Sequence, residues 1–215
     1  MNSKKNHQML SGGQVVVEAL KINGVKNVFG LIGSATMELF DALYDTKQIK
    51  FIGVRDERTG THMADGYARA TGQPGIIIAG QNGPGATNLV TGVAQANAAF
   101  SPVISLAGAI ATEHVGKDAF QEIDQQALFE TITKKTWSIK QTNKIPEILN
   151  EAFNLALTPR CGPVHVNLPR DVLANSDSFA KFKKIKKATN PVASKENITK
   201  AIDIILSSSQ PVIIA

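Results

Sequence analysis

The sequence predicts an α/β fold in which a six-stranded parallel sheet carries helices on both faces. Short apolar runs rich in Val and Ile alternate with segments of helical period up to about residue 170. Several of these runs lack the in/out alternation of half-exposed strands, which is typical of strands buried on both faces. Regular alternation of strand and helix indicates parallel pairing through crossover helices.

The apolar runs and the segments between them give the elements in chain order. The predicted strands span residues 25–32, 51–54, 75–79, 102–107, 137–140 and 163–168. The predicted helices span residues 13–23, 35–45, 58–71, 86–98, 123–131 and 145–157. The last helix has the clearest pattern, because its apolar residues recur at spacings of three and four and form one continuous stripe.

A change of composition after Asp171 indicates a domain boundary. We expect a first domain over residues 1–174, a lysine-rich linker over 175–194 and the start of a truncated middle domain over 195–215, which opens with a helix over 195–207. Residues 210–215, Gln-Pro-Val-Ile-Ile-Ala, predict the first strand of a second α/β domain that is cut off as it begins. Because a strand without a partner cannot bury its apolar faces, we expect a fragment or a segment that docks on something else.

The net charge of +5 comes from one short run of lysines in the predicted linker. Without that run the 23 basic residues fall to 18, which equals the 18 acidic residues. The run consists of Lys181, Lys183, Lys184, Lys186 and Lys187. Phe182 is the one aromatic residue inside it, so no stacking platform for bases accompanies it. We interpret the run as a solvated linker and expect no nucleic-acid partner.

Length and composition predict a globular protein without a membrane span. The 215 residues are 43% apolar and 19% charged, which suffices to bury a core. The longest apolar stretch, residues 100–111, is interrupted by Ser and Pro and is shorter than the roughly 20 residues of a bilayer span. The N-terminus lacks the uninterrupted apolar core of a secretory signal. A single cysteine, Cys161, forms no internal disulfide, so we expect a cytoplasmic location.

Two segments are richer in glycine than packing requires. In residues 55–72, Glu57 comes just past a strand, in the first turn of a helix, at the sheet edge where ligands bind in open α/β folds. Gly60, Ala64, Gly66 and Ala68 leave that helix bare enough for another backbone to approach. The alternative for Glu57 is a carboxylate that only complements the helix dipole.

The second segment, residues 81–88, reads Gln-Asn-Gly-Pro-Gly-Ala-Thr-Asn and forms a strand-to-helix turn. It is similar to a phosphate cradle, but it lacks the Gly-Lys-Ser/Thr ending of a P-loop and the spacing of a dinucleotide fingerprint. The four histidines have no metal-ligand spacing, so we expect no metal site in this chain. No nucleophile elbow indicates a hydrolase.

Together these segments resemble one family. Five motifs follow one another along the chain: FGLIGSATMELFDAL, RDERTGTHMADGYARATG, NGPGATNLVTGVAQA, GKDAFQEID and GPVHVNLPRDV. They resemble the N-terminal, pyrimidine-binding domain of thiamine-diphosphate enzymes of the acetolactate synthase group. The resemblance covers residues 10–173, and residues 210–215 look like the start of that family's middle domain.

The resemblance implies a catalytic role for Glu57. In the family, the glutamate of R-x-E hydrogen-bonds a pyrimidine ring nitrogen of the cofactor and favours the imino tautomer that deprotonates the thiazolium ring. The cofactor then serves as the electron sink, while the protein supplies position and polarity. Gln121 is the second residue to which the resemblance gives a catalytic role, on the substrate side.

The resemblance also implies a set of cofactor-binding residues. Besides Glu57, they are Gly33, Ser34, Ala35, Gly83, Pro84, Gly85, Asn88, Phe120 and Arg160. Arg160 aligns with an arginine that contacts FAD in that group, so FAD is a possible second cofactor. No Asp-Gly and Asn pair has the spacing that holds magnesium and diphosphate, so Mg²⁺ ligands are expected outside this chain.

The implied function is decarboxylation of a 2-oxo acid such as pyruvate and transfer of the two-carbon unit, in branched-chain amino acid biosynthesis. The expected partners are a 2-oxo acid or aldehyde substrate and a second copy in a homodimer or homotetramer, or a diphosphate-binding chain. Residues 32–35 and 81–85 are more similar to sulfoacetaldehyde acetyltransferase, which stays an alternative. A different thiamine-diphosphate lyase, or a non-catalytic or split-subunit fragment, also fits the sequence.

Overall fold

A six-stranded parallel sheet forms the centre of the protein in a computed structural model, which describes residues 7–180, 182 and 192–214. Its strands are β2 (Asn27–Leu31), β3 (Lys50–Gly53), β4 (Gly75–Ala79), β5 (Val103–Ala109), β6 (Thr136–Ser138) and β7 (Val164–Pro169). The strand order is β3-β2-β4-β5-β7-β6, and every neighbouring pair is parallel. This sheet confirms the predicted fold class.

The helices are α1 (Gly12–Ile22), α2 (Met37–Tyr44), α3 (Glu57–Thr71), α4 (Pro84–Ala98), α5 (Gln125–Glu130), α6 (Ile145–Leu157), α7 (Arg170–Ala174) and α8 (Lys195–Ser207). All of them except the short α7, which was not predicted, lie in the predicted intervals with small shifts at their ends. Residues 34–36 form a 3₁₀ turn before α2, and α3 begins at Glu57 because the Asp56 side chain caps it.

Two apolar layers sandwich the sheet. Ile76 and Ile78 of β4 pack into the layer that contains α1 and α6, whereas Ile77 and Ala79 pack into the layer that contains α3 and α4. All four residues are fully buried. Because both faces of β4 are covered, its sequence has no polar alternation, as predicted.

The small residues of α3 allow the sheet of the same chain to come close. A Cβ atom at Gly60 would lie 2.6 Å from Ile77 Cδ1, and one at Gly75 would lie 2.0 Å from the Ala64 carbonyl oxygen. Gly66, in contrast, lies on the exposed side of the helix, where a Cβ atom would meet nothing within 4 Å. The bare faces expected on this helix therefore serve mainly to pack α3 against its own sheet.

A second, two-stranded antiparallel sheet joins the two ends of this unit. β1 (Gln8–Ser11) pairs with β8 (Ser176–Phe179) over four residues, from Gln8 opposite Phe179 to Ser11 opposite Ser176. The sequence did not predict this sheet, because Ser-Asp-Ser-Phe has neither an apolar run nor strong strand propensity. Residues 176–179, expected in a linker that starts at 175, thus belong to the first structural unit.

The segment after the first unit contains α8, whose bounds are those predicted, and every residue of α8 is exposed. Residues 211–214 form no strand, contrary to the prediction, because no other described strand lies beside them to complete a hydrogen-bond ladder. The five-lysine run lies outside the described residues. Within the residues described, no helix has both the length and the apolar character that crossing a bilayer requires.

Candidate functional site

Four loops meet at the carboxyl edge of the sheet and carry most of the predicted site residues. They follow β2, β3, β4 and β5, which lie side by side in the order β3-β2-β4-β5. Parallel strands end at the same edge, so loops that are far apart in sequence become neighbours there. This edge carries Gly33 to Ala35, Glu57, Gly83 to Asn88 and Gln121.

Glu57 is buried at the start of α3, with 4% of its surface exposed. Its Oε2 atom accepts a hydrogen bond of 2.9 Å from Asn88 Nδ2, in α4. Its Oε1 atom faces Gly85, where a Cβ atom would come within 3.1 Å of it. No other group among the residues described hydrogen-bonds this carboxylate. One oxygen is therefore held by Asn88, whereas Oε1 carries no hydrogen bond within the described part of the chain.

Gly83 forms the turn that starts α4, and its φ of +59° favours glycine. A Cβ atom here would lie 2.4 Å from the Gln121 carbonyl oxygen, so the turn and the loop after β5 are in close contact. Pro84 occupies the first position of α4, where its missing N–H leaves no helical hydrogen bond unmade. These features fix the direction in which α4 leaves the sheet and place Asn88 beside Glu57.

The loop after β2 is bonded to the same turn region. Ser34 donates to Gln81 Oε1 from both its backbone N–H, at 3.2 Å, and its hydroxyl, at 2.8 Å. The Ala35 N–H donates to the Gly80 carbonyl oxygen at 3.1 Å. A Cβ atom at Gly33 would lie 2.4 Å from the Gly80 carbonyl carbon. The two backbones touch, which explains why small residues occupy 33–35.

Gln121 reaches the site on a strained loop, with φ of +59°. Its Oε1 atom accepts a hydrogen bond of 2.7 Å from Gln81 Nε2, and its carbonyl oxygen accepts one of 3.1 Å from Asn82 Nδ2. Asn82 also donates to the Phe120 carbonyl oxygen at 3.0 Å. The Phe120 residue itself is 81% exposed, so the loop presents its ring to the outside.

Glu122 closes this loop on itself. Its carboxylate accepts hydrogen bonds from the backbone N–H of Gly116, at 2.6 Å, and of Ala119, at 2.9 Å. These hydrogen bonds hold the pKa of the Glu122 carboxyl below its ordinary value. The Glu122 carboxylate therefore holds together the loop that carries Gln121.

Sequence reasoning missed two residues of the site, Gln81 and Asn82. Each bonds the loop of Gln121, and Gln81 also bonds Ser34. Both precede Gly83 within the glycine-rich segment, so their position beside the turn was visible in the sequence. Their partners were not, because those partners lie about 40 residues away on another loop.

Arg160 is placed far from the other predicted site residues. It lies between α6 and β7, at the amino edge of the sheet, with its Cζ atom 3.8 Å from the centre of the Phe100 ring. Arg160 and Ala98 line the same cavity of about 480 Å³. Helix α4 has 15 residues, is therefore about 22 Å long, and runs from the edge that carries Glu57 to Ala98. A ligand at Arg160 would therefore lie at the opposite edge of the sheet from Glu57.

Metal binding finds no support in the geometry of the described residues. None of their His, Cys, Asp and Glu side chains form a group of three or more that could hold an ion. His165, the second residue of β7, is fully buried, and burial lowers its pKa to about 3. It is a neutral core residue at physiological pH.

The carboxyl-edge site fits the aminopyrimidine that the resemblance implies. Glu57 Oε1, which no described residue hydrogen-bonds, would accept a hydrogen bond from a protonated ring nitrogen, and it lies next to the bare backbone of Gly85. A planar ring can approach such a surface closely because no side chain covers it.

Comparisons with known proteins show what the chain is similar to. Residues 10–128 match the family model described as thiamine pyrophosphate enzyme, N-terminal TPP binding domain. The probable acetolactate synthase large subunit of Methanocaldococcus jannaschii is 42% identical over 212 residues, which is 96% of this chain and 36% of that protein. The acetolactate synthase isozyme 3 large subunit of Escherichia coli K12 is 40% identical over 211 residues, 96% of this chain and 37% of that protein.

The acetolactate synthase large subunit of Lactococcus lactis is 41% identical over 172 residues, which is 80% of this chain and 30% of that protein. The chain therefore spans about a third of the length of the curated relatives it matches. The matched region includes every loop of the carboxyl-edge site up to Gln125.

Proposed function

The chain belongs to the thiamine pyrophosphate enzyme family as an N-terminal cofactor-binding domain, and from that premise we propose that it supplies the pyrimidine half of an acetolactate synthase-like active site. The observation that carries the proposal is the buried Glu57 carboxylate, bonded to Asn88 through one oxygen and open at the other. The proposed reaction is decarboxylation of a 2-oxo acid, pyruvate in the first instance, with transfer of the two-carbon unit.

In this proposal Glu57 is the residue that exchanges a proton with the cofactor ring. Asn88 orients the carboxylate by donating to Oε2, so that Oε1 would be available to the ring nitrogen. When bound, thiamine diphosphate would supply the electron sink for cleavage of the bond next to the 2-oxo group. A ring seated against Oε1 would exclude water from that oxygen, which would strengthen the hydrogen bond that Glu57 makes to it.

The other edge residues shape the pocket. Gly33, Ser34 and Ala35 provide one wall, held to the turn region by Gln81. The Gly83 turn and Gly85 provide bare backbone beneath the ring. Gln121, held in place by Gln81 and Asn82, extends toward the side where a substrate enters, and Phe120 presents its exposed ring there.

The remaining cofactors and partners follow from the same proposal. Mg²⁺ and the diphosphate are held by a diphosphate-binding portion, on the same polypeptide or on another, because this sequence has no Asp-Gly and Asn pair with the spacing that holds them. FAD, if used, contacts Arg160 at the amino edge, away from Glu57. A homodimer or homotetramer fits active sites that form between chains. Because the relatives are named as large subunits, a further, smaller partner also fits.

The location proposed for the enzyme is the cytoplasm, and the biological role is branched-chain amino acid synthesis. The single cysteine, Cys161, is free, which fits a reducing compartment. The three relatives described above are all named acetolactate synthase large subunits, which supports the acetolactate synthase activity over that of sulfoacetaldehyde acetyltransferase. Product analysis with pyruvate, and with sulfoacetaldehyde plus phosphate, distinguishes the two activities.

The substitution Glu57→Gln tests the proposal. Glutamine keeps the shape of the side chain but gives no proton to the ring nitrogen, so proton–deuterium exchange at the thiazolium carbon should slow by ~10²–10⁴-fold. The measurement is made by NMR with the diphosphate-binding portion present, and needs no knowledge of the substrate. The melting temperature should stay close to that of the wild type.

Glu147→Gln is the matched control, because Glu147 is also a first-turn carboxylate, at the start of α6. It is exposed and pairs with Lys144, so its loss removes a helix-dipole interaction and nothing from the site. The control should leave the exchange rate unchanged. Wild-type exchange in the Glu57→Gln protein would mean that Glu57 only complements its helix, and would overturn the proposed function.

A further inference from the structure

A line of buried polar side chains runs beneath the Gly83 turn, from β5 through β7 to α5. Its members, each no more than 5% exposed, are Ser105, His165, Asn167 and Gln125. Polar groups at this depth destabilise the fold unless they are hydrogen-bonded, so their partners determine their orientation. The proposed function assigns no role to any of these four residues.

Gln125 has every polar atom of its amide engaged. Its Nε2 atom donates to the Gly108 carbonyl oxygen at 3.1 Å and to Asn167 Oδ1 at 2.9 Å. Its Oε1 atom accepts a hydrogen bond of 3.4 Å from the Gly83 backbone N–H. If the amide were flipped, its oxygen would face the Gly108 and Asn167 oxygens and its NH₂ group would face the Gly83 N–H, so none of the three hydrogen bonds could form. The position therefore requires an amide in a single orientation.

Asn167 and His165 maintain that orientation. They are two residues apart on β7 and so lie on the same face of the strand. Asn167 Oδ1 accepts from Gln125 and lies 2.8 Å from His165 Nε2, so the histidine donates from that nitrogen. The other ring nitrogen then accepts from Ser105 Oγ, at 2.7 Å. The ring is also stacked on Phe129, with centroids 3.6 Å apart.

The network ends at two of the four loops that build the site, those after β4 and β5. Gly83 starts α4, whose first turns carry the residues that contact Glu57. Gln125 itself starts α5, four residues after Gln121. One amide therefore ties the turn before α4 and the loop before α5 to the central strands of the sheet through Asn167.

We propose that Gln125 is a positioning residue for the cofactor site. Through the Gly83 N–H it fixes the start of α4 relative to Glu57, and Asn167 and His165 keep its amide in the required orientation. The inference rests on the proposed function, because it assigns Gln125 a role at that same site.

The test replaces Gln125 by methionine, which has a similar length and no hydrogen-bonding amide. The local readout is the amide resonance of Gly83. Labelling the chain with ¹⁵N-glycine and carbonyl-¹³C asparagine selects two Asn-Gly pairs, at 23–24 and 82–83. In Q125M the Gly83 amide proton should move upfield because its hydrogen bond is lost, whereas the Gly24 signal should not move.

The second readout is the dissociation constant for thiamine diphosphate, measured by calorimetry with the diphosphate-binding portion present. Loss of one positioning hydrogen bond should raise it about 3- to 10-fold. Thr142→Val is the control for a mere loss of stability. Thr142 is equally buried and donates to the Val172 carbonyl oxygen at 2.9 Å, but it belongs to neither site loop. T142V should change neither readout.

Asn167→Ala is a second variant, and it decides the question if Q125M does not fold. Asn167 does not touch Gly83, so a shift of the Gly83 resonance in N167A reports reorientation of the Gln125 amide. An unmoved Gly83 resonance in either folded variant, or an unchanged dissociation constant, overturns the proposal. A wild-type protein that binds no thiamine diphosphate contradicts the proposed function instead, and the Gly83 resonance still reports whether Gln125 orients the turn.

Discussion

Replacing Gly85 by alanine should damage the cofactor site and spare the fold. A Cβ atom at Gly85 would lie 3.1 Å from Glu57 Oε1, 3.2 Å from Gln81 Cβ and 3.7 Å from Ala79 Cβ. Ordinary contacts begin at 3.4 Å, so the Glu57 carboxylate has to move by about 0.3 Å. The added methyl group also occupies the surface on which a ring would lie.

The energetic consequences differ for folding and for binding. The nearest obstacle is the far end of a flexible side chain, and alanine favours a helix by up to about 1 kcal/mol over glycine. The free energy of unfolding should therefore change by less than about 1 kcal/mol. Binding sites need positions held to within about 0.5 Å, so displacement together with lost space should raise the dissociation constant for thiamine diphosphate about 10-fold or more.

Two measurements separate these effects. Urea unfolding, followed by fluorescence of the single tryptophan Trp137, gives the stability. Calorimetry with thiamine diphosphate and the diphosphate-binding portion gives the affinity. Gly66→Ala is the control, since it makes the same change on the exposed side of α3 with nothing within 4 Å. A Gly85→Ala protein with wild-type affinity would refute the placement of the ring beside Glu57.

Two further predictions concern the fold itself. Gly75→Ala should lower the free energy of unfolding by about 3 kcal/mol in urea titrations, because its Cβ atom would lie 2.0 Å from the backbone oxygen of Ala64; a loss below about 1 kcal/mol would contradict this. Burial lowers the pKa of His165 to about 3, so between pH 6.5 and 3 the unfolded chain binds a proton that the folded chain does not. Stability should therefore fall with decreasing pH across this window, by about 1.4 kcal/mol per pH unit from this group, and H165Q should show a correspondingly shallower slope. Equal slopes for the two proteins would count against a buried neutral histidine.

The sequence predicted the central sheet well because burial on both faces leaves a strong local signal. The run Gly-Ile-Ile-Ile-Ala at 75–79 is buried along its whole length, and its predicted bounds are those observed. β8 left no such signal, since the polar segment 176–179 becomes a strand only through pairing with β1. The predicted strand at 210–215 shows the opposite case, in which apolar residues alone do not make a strand.

The site could be predicted from the sequence in part. The glycine-rich turn at 81–88 and the position of Glu57 after a strand were recognisable locally, and the family resemblance connected them. The hydrogen bonds that join Gln81 to Gln121 depend on tertiary packing between loops, which local patterns do not contain. His165 and Asn167 did leave a trace, as alternate polar residues in an otherwise apolar strand.

The pairing of β1 with β8 also determines how the unit responds to force. Gln8 faces Phe179, so the entering and the departing segments are neighbours at the same end of the two-stranded ribbon. A load that separates these two points would break the ladder one bond at a time, as in unzipping, and would not stretch all of its bonds together. We therefore expect the two-stranded ribbon to separate at low force. The central parallel sheet would bear the load only after the ribbon has separated.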